Sequence, residues 1–475
     1  MSIDQSAAAG RSRWVVGAVA FAVVAQIVCA VVGEAAVYVV PSPCCATIQE
    51  GIDQAAVGDT VFVLAGTYQG PGNVELSFGG RDIVLLGEDR ESVVIDGQGM
   101  NRLLFLDSGE TTAARVERLT IANGWGSSAG GGIQVEDGGL TIANCRIVGC
   151  GTSGLGGGIA GIRATVHLDG CIVAENSAEN LGGGVSVRTG VLTMRDCVIV
   201  GNLVSEPQGR GGGVDAYLSE VLIEDTVVGG NWGRYGWGGG VYLLACNSVL
   251  RSSTFAGNNM VSSSQFYGGG GVAVQAGEVS IEQCAFYGNC SYFASGEDLW
   301  CLNTTAQISC SLVENIYGFA EFEGPGIDGD VSSCVVIDCD DAPTADGDYS
   351  VSDDSVLLPE NNACGVLIGA LGPECAVSGI LDGGDERPSR FAVRVEPNPA
   401  RDLAIVRFVL EAPAEVELDL YDISGKRVEH AVRRLGAGDH AVRLESVTER
   451  MAAGAYFVVV RAGDRTGTGR LLIVR

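Results

Sequence analysis

The feature that most constrains this chain is a series of glycine triplets that recur through its middle. They end at Gly132, Gly158, Gly184, Gly213, Gly240 and Gly271. Eighteen positions after each triplet stands Cys150 in the first case and Asn in every other. A small residue, usually Cys, precedes that position by five. The triplets themselves predict turns, where positive φ and the close approach of neighbouring segments require glycine. From Asn123 to Cys339 the pattern advances by 27 residues per step on average, and such a period indicates a solenoid.

Each repeat contains short β-branched alternations, such as Val185–Val187 and Val198–Val200, between Gly, Asn or charged turns. These patterns predict strands and no helix, and such a unit cannot bury its own apolar face. Parallel pairing between successive units satisfies the backbone and fills a narrow interior. The sequence therefore predicts an all-β chain with a right-handed parallel β-helix over residues 37–380, three short strands per coil.

One column of the predicted coil reads as a structural ladder. Asn at one turn of successive coils places each side-chain amide over the next, and Asn tolerates a left-handed backbone. The predicted ladder contains Asn176, Asn202, Asn231, Asn258, Asn289 and Asn315, and Cys145, Cys171 and Cys197 are predicted to face the core as small hydrophobes.

The triplets followed by Ile or Val, together with Phe255–Asn258 and Phe286–Asn289, resemble the repeats of polymorphic outer-membrane proteins. Three upstream motifs resemble the opening of the wider pectin-lyase-like superfamily: Thr47–Gln49, Gly58–Val61 and Gly66–Tyr68. That superfamily includes lyases, hydrolases and adhesins, so the resemblance implies a fold and leaves the activity open.

Charge excludes one class of partner. The formal net charge is −29, and Lys426 is the only lysine. Phosphate binding needs clustered cations, which this chain lacks, so we expect no nucleic-acid partner.

The N-terminus and the cysteines indicate export. Arg11 and Arg13 precede an apolar run that ends in small residues, which predicts a signal peptide over residues 1–36 and a mature chain without a membrane span. A retained anchor is the alternative.

Ile48, Ile52, Ala55 and Ala56 fall at helical spacing and predict a cap on the first coil. The expected disulfides join Cys364 to Cys375, at a closing segment, and Cys246 to a later cysteine.

The composition changes after a linker at residues 381–390. Residues 391–475 have longer alternating strands and mixed charges, which predict a small antiparallel Ig-like sandwich. Glu396–Pro399, Leu420–Gly425, Ala453–Phe457 and Leu471–Arg475 resemble the C-terminal sorting domain of type IX secretion substrates. The resemblance implies the type IX machinery as a partner and a secreted or outer-surface location. An accessory domain without a sorting role is the alternative.

Three sets of residues are candidates for function. Aromatic residues in the loops after each Asn form a predicted binding ridge: Trp125, Trp232, Tyr235, Trp237, Phe266, Tyr267, Tyr292 and Phe293. Acidic residues near the last coil form either a calcium site or a solvated loop: Asp328, Asp330, Asp338, Asp340, Asp346 and Asp348. The candidates for an enzymatic site are Asp169, Asp196 and Asp225 in turns, with Arg188, Arg195, Arg210 or Arg234 as the cation.

The sequence favours a non-catalytic surface protein. Lyase chemistry needs a cation beside calcium carboxylates, and no Lys, Arg or His occurs between Arg251 and Arg387. We therefore predict a secreted or cell-surface protein that binds polysaccharide, or a surface glycan or protein, without catalytic residues and without a cofactor other than the calcium considered above. A lyase or glycoside hydrolase acting on acidic polysaccharide is the alternative.

Overall fold

The computed structural model describes residues 35–207, 209–234, 236–261, 268–292, 296–323, 355–359 and 361–370, and in the C-terminal region 394–396, 404–410, 413–422, 427–444, 454–462 and 465–473. The chain divides into two compact units, Met1–Cys375 and Ala376–Arg475. The predicted signal peptide falls almost entirely outside the described residues.

The first unit is a parallel β-solenoid of about 10 turns with about 27 residues per turn, which confirms the fold predicted from the repeat. Its large sheet contains Val37–Val40, Thr60–Val63, Val84–Gly87, Leu104–Leu106, Arg115–Glu117, Ile133–Glu136, Gly139–Ala143, Ile159–Ile162, Thr165–Asp169, Val185–Arg188, Val191–Arg195, Val214–Tyr217, Glu220–Glu224, Val241–Arg251, Val272–Glu282, Leu299–Ser309 and Ile316–Glu323. The second sheet contains Gly66–Tyr68, Val93–Asp96, Thr120–Ala122, Arg146–Val148, Ile172–Ala174, Val198–Val200, Val227–Gly229, Thr254–Ala256 and Ala285–Tyr287. The third contains Trp125–Gly126, Gly151–Thr152, Ser177–Ala178, Leu203–Val204, Trp232–Arg234, Asn259–Val261 and Cys290–Tyr292.

The coils are stacked in register. Ile133 pairs with Ile159, and the same column continues through Val185, Val214 and Val241. Most coils contribute two segments to the large sheet, which we call the first arm and the second arm, on either side of a bend such as Asp137. Alternate residues of both arms point inward, and inward aliphatic residues form one continuous core.

The glycine triplets serve two purposes. The first glycine of each triplet has a left-handed backbone, with φ of 63° at Gly156 and 59° at Gly182, which favours glycine. The second lies against the neighbouring coil, because a Cβ at Gly157 would lie 2.3 Å from the Ser177 carbonyl oxygen. Both observations agree with the turn and close-approach roles expected from the sequence.

Side-chain amides of successive coils form a hydrogen-bonded ladder. Nδ2 of Asn202 donates to Oδ1 of Asn231 at 2.9 Å, and Nδ2 of Asn231 donates to Oδ1 of Asn258 at 3.0 Å. The second Nδ2 hydrogen of Asn231 reaches the Ile199 carbonyl at 2.8 Å, and its Oδ1 also accepts the Asn202 backbone N–H. Buried amides in this column therefore satisfy one another between coils.

Some details of the predicted ladder were wrong. The left-handed residue is the one before each Asn, for example Glu175 or Gly201, and Asn123 occupies that preceding position because it is in register with Gly149. Asn315 is exposed, since Asn289 donates to Asp298 instead, at 2.9 Å.

The N-terminal end of the solenoid carries a short helix, Ile48–Gln54, which begins with a capping box between Thr47 and Glu50. It lies so close to the first two strands that a Cβ at Gly51 would meet Val40 and Val61 at 2.9 Å. Of the four residues expected on its apolar face, Ala56 is exposed and beyond the helix.

The cysteine pairing differs from the prediction. Cys364 forms a disulfide with Cys310, and Cys246 is a free, buried thiol. Cys375 lies outside the described residues. The segment around Ile368 packs on the outer face of the second sheet, where the Gly369 N–H donates to the Gln283 carbonyl, and so covers a side of the solenoid.

The described residues of the second unit form two antiparallel sheets. One has the order Arg394–Glu396, Ile405–Leu410, Gly438–Arg443, and the other Arg427–Leu435, Ala414–Asp422, Gly454–Ala462, Arg465–Ile473. Phe408 of the first and Leu420 and Val458 of the second belong to one core.

We predict that Asn231→Ala lowers the free energy of unfolding by about 3 kcal/mol, because it leaves the buried N–H of Asn202 without an acceptor and removes the amide bonds that Asn231 makes to Asn202, Asn258 and the Ile199 carbonyl. Urea unfolding of the full chain measures the change. Asn180→Ala is the control, since that exposed side chain makes a single bond to the Ser153 carbonyl. Equal urea midpoints for the two variants would show that the ladder contributes little to stability.

Candidate functional site

The predicted aromatic ridge is not a continuous surface among the described residues. Trp125 and Trp232 share one column of the third sheet, but Gly151, Ser177 and Leu203 lie between them. Four coil steps separate the two indoles by about 19 Å at the usual strand spacing. Trp125 is 43% exposed and Trp232 is half-buried.

The remaining ridge residues do not extend this column. The Trp237 ring packs on Tyr242 with 5.9 Å between ring centroids, in a cluster with Trp300 outside the main core. Four others lie outside the described residues: Tyr235, Phe266, Tyr267 and Phe293. Only the backbone of Tyr292 is described.

The predicted calcium ligands also lie outside the described residues: Asp328, Asp330, Asp338, Asp340, Asp346 and Asp348. Within the described ranges, no three His, Cys, Asp or Glu side chains come together in a way that could hold a metal ion.

The acids proposed for catalysis do not share a column. Asp169 pairs in register with Arg195, so it is one position away from the column of Asp196 and Asp225. Those two residues have left-handed φ angles of 50° and 48° and are exposed. Burial, followed by the charge of Asp196, raises the pKa of Asp225.

The cation nearest to these acids belongs to a ladder of ion pairs on the second arm. Arg195 lies 2.9 Å from Glu224, Glu224 lies 3.3 Å from Arg251, and Arg251 lies 2.9 Å from Glu282. His167 is half-buried next to this ladder, and burial together with the charge of Arg195 lowers its pKa. Arg195 is therefore a member of a structural charge ladder and is poorly suited to act as a base.

Arg210 takes part in a buried network on the first arm. Its Nε lies 3.5 Å from Oδ1 of Asp215, and the guanidinium lies over the Tyr242 ring at 5.1 Å. Ser186 donates to the other Asp215 oxygen at 3.3 Å. Burial raises the pKa of Asp215 to about 6, although Arg210 and Arg188 oppose the shift. Because the Asp215 side chain is fully buried, a polymer cannot reach it.

A groove with a volume of about 830 Å³ lies on the outer face of the second arm. Two outward-facing rows line it. One row contains Thr193, Leu222, Val249, Ser280 and Gln307, and the other contains Val191, Glu220, Asn247 and Glu278. Thr305 completes the polar lining.

The groove combines an apolar floor with hydrogen-bonding groups and two carboxylates. Leu222 and Val249 are half-buried, whereas Asn247, Glu220 and Glu278 are exposed. No Lys, Arg or His is among the residues described as lining it. The groove is not visible in the sequence. Strand alternation identifies which residues face outward, but it does not show which of them lie together in a concave surface.

Comparison with known families agrees with this architecture. Residues 131–311 match the model of the right-handed β-helix region, and residues 394–474 match that of the secretion system C-terminal sorting domain. The chain contains a right-handed β-helix region and a C-terminal sorting domain. None of the curated proteins matches its sequence. The narrower resemblance to the repeats of polymorphic outer-membrane proteins remains a prediction.

The sorting domain determines where the β-helix protein is delivered. Domains of this family direct export through the type IX secretion system, so the protein is secreted or displayed on the cell surface. No helix in the described part of the chain has the length and hydropathy required to cross a bilayer.

We predict that Asp215 makes the β-helix less stable as the pH rises. The pKa is about 6 in the folded chain, against about 3.9 for an unfolded Asp, so the folded state binds a proton that the unfolded state has released between these values. Melting temperatures of the wild type should fall from about pH 4 to about pH 6 more steeply than those of Asp215→Asn. Asp196→Asn, at an exposed acid, is the control. Parallel curves for the wild type and Asp215→Asn would contradict the assignment.

Proposed function

We propose that this exported β-helix protein binds a neutral polysaccharide in the groove of the second arm and does not cleave it. The observation that carries the proposal is the lining itself, which combines apolar and uncharged polar side chains with two carboxylates and has no cation among its described residues. Such a surface offers contacts to the faces and hydroxyls of sugars.

The repetition of the groove favours a polymer over a small molecule. Asn247, Ser280 and Gln307 come from three successive coils, and coils follow one another at about 4.8 Å. A chain of identical units presents its hydroxyls at regular intervals, so one polymer could bind several coils in the same way.

The charge of the groove favours a neutral polymer over an acidic one. Glu220 and Glu278 stand in the groove without a cation beside them in its lining. A uronate polymer would bring its carboxylates close to these two, and like charges repel at short range. The groove therefore disfavours the acidic substrate of the lyase and hydrolase alternative.

The arginines near the groove argue against lyase chemistry. A lyase needs a base, and the arginines nearest to this face, Arg195 and Arg251, are held by Glu224 and Glu282. Hydrolysis uses a pair of carboxylates about 5 to 9.5 Å apart. Glu220 and Glu278 are two coils apart, about 9.6 Å along the stack at the usual strand spacing, which is at the upper end of this range.

We predict that Ser280→Trp, which fills the groove, abolishes binding to a neutral glycan identified on a glycan array, and that Asn247→Ala weakens binding about three- to tenfold through the loss of one hydrogen bond. Isothermal titration of the full chain measures both affinities. Thr141→Trp is the matched control, because Thr141 occupies the same outward row outside the groove.

A second pair of measurements separates this proposal from its rivals. If Trp125→Ala removes binding and Ser280→Trp does not, the ridge is the binding site and the groove proposal is wrong. Release of reducing or unsaturated sugar ends by the wild type, lost in Glu220→Gln or Glu278→Gln, would instead establish an enzyme.

A further inference from the structure

Two adjacent cysteines lie at the start of the solenoid. Ser42 and Cys45 close a four-residue turn, with N–H to carbonyl distances of 2.8 Å and 3.2 Å. Within this turn the Sγ atoms of Cys44 and Cys45 are 3.1 Å apart, and the Ser42 hydroxyl lies 3.1 Å from the Cys44 sulfur. The turn thus holds the two thiols against each other before any bond forms between them.

The two thiols differ in environment. Cys45 is fully buried and belongs to the same core as Ile48 and Ile52 of the capping helix, whereas Cys44 is exposed. Hydrogen bonds from Ser42 and Cys45 lower the pKa of Cys44, and burial raises that of Cys45 to about 11. Cys44 is therefore the thiol that an external reagent reaches first, and its thiolate form is favoured.

The free thiols inside the coils differ from this pair. Cys145, Cys171, Cys197 and Cys284 are all buried. A hydrogen bond with Cys197 lowers the pKa of Cys171, whereas burial raises that of Cys284 to about 12. Buried thiols of this kind are inert toward reagents in solution. Among the described free cysteines, Cys44 is the exposed one.

From this geometry and from export into an oxidising environment, we infer that Cys44 and Cys45 form a vicinal disulfide that works as a reversible redox clasp on the N-terminal cap. The Cys44 thiolate attacks one sulfur of an exchangeable disulfide, either a protein thiol oxidant or oxidised glutathione, and expels the other sulfur as a thiolate. Cys45 then loses its proton to solvent and attacks the Cys44 sulfur, which releases the second thiol of the oxidant. Two electrons pass to the oxidant.

Covalent geometry makes such a bond easy to reverse. Neighbouring Cα atoms are about 3.8 Å apart, below the range of about 4.4 to 6.8 Å seen in most disulfides. A strained disulfide is more readily reduced than a relaxed one. The clasp would therefore open under mildly reducing conditions.

Peptide mapping of the exported full chain tests the inference. The protein is equilibrated with mixtures of reduced and oxidised glutathione, quenched with acid, denatured, alkylated and digested. In oxidising mixtures, mass spectrometry should find that the peptide with Cys44 and Cys45 carries neither an alkyl group nor glutathione. Its mass should be two hydrogens below that of the same peptide with both thiols free. In reducing mixtures it should carry two alkyl groups.

Three results would overturn the inference: two alkyl groups in every mixture, a glutathione adduct on Cys44 beside an alkylated Cys45, or a disulfide from either residue to another cysteine. Cys44→Ser should leave Cys45 alkylated throughout, and its urea midpoint checks that the fold is kept. The matched control is Cys284→Ser, which should leave the transition unchanged, because Ser253 and Ser311 occupy the same column.

Phenylarsine oxide provides an independent readout, since it binds pairs of neighbouring thiols. After mild reduction that leaves the Cys310–Cys364 disulfide intact, the wild type and Cys284→Ser should each bind one equivalent, and Cys44→Ser should bind none. Equal binding by Cys44→Ser would place the reactive dithiol elsewhere and contradict the inference.

Discussion

The backbone hydrogen bonding between coils is the interaction on which the rest of this structure depends. Each strand pairs in parallel with its counterpart one turn away, so every side chain has members of its own column above and below it at about 4.8 Å. A buried column therefore favours side chains that pack against their own kind. Aliphatic residues satisfy this condition inside, as Ile133, Ile159 and Val185 show. Asn satisfies it at the turn, because an amide both donates and accepts.

The same repetition organises the outer surface. Where charges of opposite sign alternate, as from Arg195 through Glu224 and Arg251 to Glu282, the column becomes a ladder of ion pairs. Surface pairs of this kind contribute little individually, about 0 to 1 kcal/mol each. Their consequence for function is larger, since they occupy the arginines that a lyase would need. Where an outward row is uncharged, as from Thr193 to Gln307 in the groove, its side chains are left to interact with a ligand.

The sequence predicts the repeat, the parallel pairing and the left-handed glycines because each follows from a period that is visible in the residues themselves. Prediction from the sequence fails where the assignment of a residue to a column, or to a disulfide, depends on a single position. Asn123 and Asp169 each lie one residue away from the column to which the pattern assigned them, because spacings measured between motifs do not show where a turn absorbs an extra residue. The bond from Cys364 to Cys310 was missed, because pairing depends on how residues 355–370 fold back over the second sheet. The groove was missed for a related reason: concavity arises from several coils together.

The cysteines within the stacked coils differ in role from those near the ends of the described solenoid. Within the stack, thiols such as Cys145 and Cys284 are small core residues, and the column that contains Cys284 accepts Ser253 without change of register. Toward the last described coils, Cys310 is joined covalently to Cys364. At the first coil, the buried Cys45 and the exposed Cys44 meet within a turn. Interior coils are held by neighbours on both sides, whereas an end has a neighbour on one side only. Cross-links therefore have most to contribute at the ends, and that is where this chain places sulfur atoms able to form them.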